Sequence, residues 1–147
     1  MFSNAFTGLD RRRWFDRMFP QTLSIGSMLL YVNGAFGLLY FLDGNDIVGA
    51  WRLHGGGGAL LALATIVAYP LGAFLMANGK LLGWYMGIGA SFSPLALRLL
   101  WKLSVNGGLT WRDVVIGNSF VSFAFEAALC VLLLHPMSRV HAAKWLR

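Results

Sequence analysis

At 147 residues, 57% of them apolar and only 12% charged, the chain is far too hydrophobic for a soluble domain, in which about a quarter of residues are charged. A mean hydropathy of +0.62 marks a multispanning membrane protein, so the net charge of +6 and the pI near 10.1 belong to loops and tails beside a bilayer and not to nucleic-acid binding. The single cysteine, Cys130, excludes an intrachain disulfide.

The N-terminal flank ends in LDRRRWFDRMF, where Trp14, Phe15, Met18 and Phe19 fall on one side of a helical wheel and Arg13, Asp16 and Arg17 on the other. This pattern predicts a short interfacial amphipathic helix, with Trp14 at headgroup level and Arg11, Arg12, Arg13 and Arg17 against anionic lipid headgroups. An unstructured positive flank that only sets orientation is the alternative. The first apolar run is too long for a removable signal peptide and lacks a small-x-small site after it, so the first helix is expected to stay in the protein.

Pro20 ends the flank, and a first span is predicted over 22–42, close to the roughly 20 residues a bilayer core requires, with Tyr31 and Asn33 near its middle. A second span, 55–77, contains Pro70, whose freed carbonyl needs a neighbour. After the tight turn Asn78-Gly79-Lys80, a third span over 81–101 carries Pro94 and Arg98. The fourth, 114–134, holds Glu126, the only glutamate in the chain. Beyond Pro136 the tail is expected to restart as a short interfacial helix near Ser138, anchored by Trp145.

The architecture this predicts is one all-α membrane domain, a four-helix transmembrane bundle. Eight basic residues fall in the flanks and the Lys80 turn, against Arg52, Lys102 and Arg112 in the other loops, so both termini are expected to be cytoplasmic and the protein multi-pass in the cell membrane.

Apolar side chains gain little from leaving lipid for one another, so membrane helices associate where small residues let backbones approach. Gly79, Gly83, Gly87 and Ser91 recur every four residues along the third span, a glycine zipper matched by a row of Ala64, Ala68 and Gly72 in the second. The short turn between these spans makes them antiparallel neighbours. In the fourth span Asn118, Ser119, Ser122, Glu126 and Cys130 fall within an arc of about 120°, and such a stripe should avoid lipid.

At about 1.5 Å per residue, Arg98 should lie near the outer boundary, level with Asn118 and Ser119, and Glu126 deeper, in a layer with Tyr31, Asn33, Tyr69 and Ser91. A direct Arg98–Glu126 pair is therefore not expected without a kink or helix shift, part of which Pro94 could supply. Glu126 then either fixes which helices touch, as a hydrogen-bonded neutral acid, or exchanges protons with a cytoplasmic cavity. In outline the chain is similar to the small multidrug-resistance transporters, four-span proteins with one membrane glutamate. Theirs lies in the first helix and Glu126 in the fourth, so no activity is carried over.

No catalytic constellation, metal-ligand spacing or cofactor motif is expected: Gly55–Gly58 is followed by no Lys-Ser/Thr, and His54, His135 and His141 lack zinc spacing. The functional expectation is a non-enzymatic accessory or assembly subunit, whose polar stripe meets another membrane protein or a second copy of the chain. A small proton-coupled transporter or channel using Glu126 is the alternative.

Overall fold

The four apolar runs form helices wherever caps and breakers allow. The computed structural model describes residues 8–44, 46–105, 108–117 and 119–146. Among these, every regular element is an α-helix: α1 (Gln21–Asp43), α2 (Ile47–Leu53), α3 (Gly56–Ala77), α4 (Leu81–Ser104), α5 (Trp111–Ile116), α6 (Phe120–Leu134) and α7 (Pro136–Trp145). Two of them, α1 and α3, are long and apolar enough to cross a membrane. The pair α6 and α7, bent by 51° at His135, makes a third such unit if counted together. As long as these, α4 is made less apolar by its glycines, serines and Arg98.

The four long helices run alternately up and down. α3 packs on α1 and α4, and α6 packs on the same two, which closes a square. One end of the bundle holds Pro20, the Asn78-Gly79 turn and Pro136, and is called the termini end here; the far end holds α2 and α5. Buried positions on α1, Leu23, Gly26, Ser27, Leu30 and Gly34, follow the three-and-four spacing of a single helix face. Its opposite face exposes Ile25, Met28, Val32, Phe36 and Leu39, which suits contact with lipid.

The termini half has a dense apolar core that includes Leu23, Leu30, Ala73, Met76, Leu129 and Leu133. α3 and α4 approach each other closely at their glycines. A Cβ on Gly83 would stand 2.6 Å from the Gly72 carbonyl oxygen, and one on Gly72 would meet the Gly87 nitrogen at 3.0 Å. Gly79 has a different use from the one its spacing suggests. At φ 75° it turns the chain out of α3, donating to Met76 O while Lys80 N–H donates to Leu75 O. Ala64 is exposed and Ala68 half-buried, so of that row Gly72 alone reaches the α4 backbone.

Prolines leave orphan carbonyls, and this chain pairs several of them with side chains. Ser93 Oγ donates to Ala90 O, which lacks an N–H from Pro94, at 2.7 Å. At the bend after α6, Ser138 Oγ donates to Leu132 O at 2.7 Å and the Trp84 indole to Leu133 O at 3.1 Å. Gly34 lets α1 pass over Pro70, since a Cβ there would lie 2.9 Å from the proline ring.

Two expectations are corrected. The flank over 8–20 forms turns and no helix. Its backbone is clipped to the end of α3: Asp10 N–H donates to Asn78 Oδ1 at 2.7 Å, and Asn78 Nδ2 donates to Arg13 O at 3.2 Å. Trp14 packs on Phe74 and Tyr31, and the Tyr31 hydroxyl donates to Trp14 O at 3.0 Å. Anchored to protein in this way, the aromatic face needs no helix to bury part of it. The fourth apolar run is also broken. α5 stops at Gly117, whose φ is 71°, and α6 begins after the Ser119 N-cap, whose hydroxyl accepts from Val121 N–H.

Candidate functional site

The break before α6 decides the geometry of the site. It leaves Glu126 six residues from the far end of α6, and α4 runs on to Ser104, which puts Arg98 six residues from the far end of α4. Both are thus about 9 Å down their helices. They meet: Arg98 Nη2 donates to Glu126 Oε1 at 2.7 Å and Nη1 to Oε2 at 3.1 Å, a two-pronged ion pair. The expectation that these residues lie at different depths is corrected by the helix boundaries. Arg98 is only 3% exposed, so its charge is held by protein and not by snorkelling to water.

Arg98 fits where it does because of Gly117. A Cβ at that position would fall 2.6 Å from the guanidinium carbon. The chain reversal between α5 and α6 therefore makes the seat for the cation as well as setting the height of Glu126. Gly117 was not singled out by the sequence reading, although a Gly-Asn-Ser run inside an apolar stretch is a turn signal.

Beside the pair lies a cavity of about 250 Å³, walled by Asn33 and Tyr40 of α1, Thr65 and Tyr69 of α3, Ser93 of α4, and Ser119, Ser122 and Glu126 of α6, with Asp46 at the head of α2. The cavity runs from Asp46 at the far end to Tyr69, which borders the apolar core of the termini half. A smaller crevice of about 200 Å³ lies on the other side of the pair, lined by Asp46, Arg98, Trp101, Asp113 and Gly117. Asp46 thus borders both spaces. Two buried nitrogens, Asn33 Nδ2 and Arg98 Nε, have no hydrogen-bond partner among the described residues.

Of the predicted layer, Asn33, Tyr69 and Glu126 share the cavity, where Ser119 and Ser122 of the stripe join them. Ser91 does not line it; Ser91 sits one turn deeper, its Oγ accepting from Cys130 Sγ at 3.2 Å and donating to Ile88 O. Tyr31 is at the termini end with Trp14. Asn118 lies outside the described residues. Sequence reasoning passed over Asp46, Thr65 and Ser93, which are ordinary turn and helix residues until the helices are placed around them.

At the far end, α5 is started by Thr110 and Asp113 in a reciprocal capping box. The Thr110 hydroxyl and backbone N–H both donate to the Asp113 carboxylate, at 2.8 and 2.9 Å, and hold its pKa below the ordinary carboxylate value. Lys102 Nζ donates to Leu109 O and lies 4.2 Å from the centre of the Trp111 ring, which ties the loop before α5 to α4. These contacts rigidify the rim of the crevice.

Fold and site define a class, a helical membrane protein with an ion pair buried beside a polar cavity. Comparison with protein-family models, curated proteins and solved structures finds no match.

Proposed function

We propose that the chain is a non-enzymatic multi-pass protein of the cell membrane, a four-helix transmembrane bundle with both termini cytoplasmic, that passes a small solute or a proton by way of Glu126. The observation that carries this reading is the cavity. A polar space beside a largely buried carboxylate is costly within a bilayer, and intramembrane carboxylates mark ion and substrate pathways. Of the described part of the polar stripe, which first suggested a partner, Glu126 pairs with Arg98, Cys130 with Ser91, and Ser122 and the exposed Ser119 line the cavity. Orientation follows from the excess of basic residues at the termini end. There Arg11, Arg12, Arg13 and Arg17 on the clipped flank meet anionic lipid headgroups.

The test is flux in proteoliposomes driven by a proton gradient. Glu126→Gln should abolish proton-coupled flux while expression and folding persist. Equal flux in wild type and variant refutes the reading.

One observation favours a second reading, an accessory or self-assembling subunit: the core of the termini half is solid, with Leu23, Leu30, Met76, Leu129 and Leu133 fully buried. A static scaffold needs nothing else there, whereas a transporter must open it. Purification in mild detergent separates the two. A stable partner or a defined oligomer supports the subunit, and a lone monomer removes it.

A further inference from the structure

We propose that, in this conformation, Glu126 is a proton site reached from the far end of the bundle, and that Arg98 passes to the carboxylate of Asp46 when Glu126 takes up a proton. This deepens the transport reading by naming the ion and its side, and it rests on that reading for the membrane placement of the bundle.

The cavity and the crevice flank the Arg98–Glu126 pair and share Asp46; the crevice is lined by far-end residues, and the cavity runs from Asp46 down to Tyr69. Toward the termini end, Leu30, Ala73, Met76, Leu129 and Leu133 close the bundle with buried apolar side chains. The crevice thus approaches the pair from the far end, and the apolar core separates the pair from the termini end.

A buried guanidinium cannot simply be abandoned by its counter-charge, because an unpaired buried ion costs several kcal/mol by the usual order of magnitude. A second acceptor must be at hand. Asp46 lines the same crevice as Arg98, and its carboxylate makes no capping bond to α2. Gly117 places no side chain against the guanidinium, and Pro94, one turn before Arg98, removes a backbone hydrogen bond from the stretch of α4 that would flex.

The exchange balances. A hydronium ion in the cavity gives its proton to a Glu126 carboxylate oxygen and leaves as water; the two hydrogen bonds from Arg98 break; Arg98 keeps its own proton and pairs with Asp46. The site gains one positive charge. The ionisable and polar groups around Glu126 are Arg98 from α4, Asp46 from the head of α2, Asn33 and Tyr40 from α1, Tyr69 from α3 and Cys130 from α6, with Asp113 of α5 on the crevice. On α7, His141 and Lys144 stand at the termini end, beyond the apolar core.

The test uses the full chain in oriented proteoliposomes with Cys130→Ser as background. Ser122→Cys should react with a membrane-impermeant cationic thiosulfonate added at the far face and not at the termini face, while Ala73→Cys reacts from neither. In the wild-type chain, labelling of Glu126 by a water-soluble carbodiimide should rise as the far-side pH is lowered and ignore the pH on the other side. Asp46→Asn should move half-labelling to lower pH by about one unit, the low end of what one neighbouring charge does, and Asp46→Glu should restore it. Labelling that follows the termini-side pH, Ser122→Cys reacting only from that side, or an Asp46→Asn midpoint equal to wild type overturns the proposal. No flux is measured. Absent flux with intact far-side labelling removes transport and keeps the proton site, and the converse removes the site and keeps transport.

Discussion

Arg98 and Glu126 meet because α4 runs on past its predicted end and α6 starts six residues later than its apolar run does, which brings two residues 28 apart in sequence to one height. The pair is bidentate, and Arg98 is almost fully buried. Breaking it should cost more than deleting it. Arg98→Leu leaves a buried carboxylate alone and is expected to destabilise by about 3–5 kcal/mol, whereas Arg98→Leu with Glu126→Leu should recover most of that loss. Thermal unfolding of the two variants in one detergent checks this; equal loss in both would mean the pair is not coupled.

Gly117→Ala should be costly for two separable reasons. Its φ of 71° with ψ −159° is a conformation open essentially to glycine alone, at about 1–3 kcal/mol for any other residue, and the added methyl collides with the Arg98 guanidinium. In an Arg98→Ala, Glu126→Gln background the collision is gone, so the same substitution should cost only the backbone part. The difference between the two thermal shifts measures the fit of the seat.

Gly83 and Gly89 lie on the same helix and should respond oppositely to alanine. At Gly83 a methyl meets the backbone of α3, so Gly83→Ala should separate the helices and destabilise by about 1–3 kcal/mol. At Gly89 nothing lies within 4 Å, and alanine should stabilise by up to about 1 kcal/mol through helix propensity. Matching losses would place the α3–α4 contact elsewhere.

Asn78→Ala should release the N-terminal flank. Asn78 holds it through Asp10 N–H and Arg13 O. Trypsin offered at the termini face should then cut at Arg11–Arg13 several-fold faster than in wild type, with the rest of the chain unchanged.

The capping box of α5 gives a pH dependence whose sign follows from Asp113. Its folded pKa is lowered by the Thr110 hydrogen bonds, so the stability it lends α5 is fully present above the unfolded carboxylate value near 4 and is lost as pH falls through the lower folded value. Exchange of the Val114 and Gly117 amides, which bond to Thr110 O and Asp113 O, should therefore quicken, relative to the intrinsic rate, below about pH 4. Thr110→Ala should remove this acid step and weaken α5 already at neutral pH, by about 1 kcal/mol.

The sequence by itself determined four apolar runs in order and the turn between the second and third, because apolar runs near 20 residues and Gly or Pro punctuation are local signals. It also determined that spans two and three form a close pair, since a three-residue turn leaves no other geometry. It marked Glu126 with Tyr31, Asn33, Tyr69 and Ser91 as one layer and Asn118, Ser119 and Ser122 as a stripe on the same helix face, because polar groups in apolar helices must turn inward; of these Asn33, Tyr69, Ser119 and Ser122 line one cavity with Glu126. The tertiary structure alone decided who faces Glu126. The depth of a side chain depends on where its helix starts and stops, and the ends of α4 and α6 were set by Gly117, the Ser119 cap and the tie from Lys102 to Leu109, none of which an apolar run reveals. The same holds for the flank over 8–20: its helical pattern was real, but the Asn78 clip and the Tyr31 and Phe74 rings gave its backbone and aromatics better partners than a helix of its own.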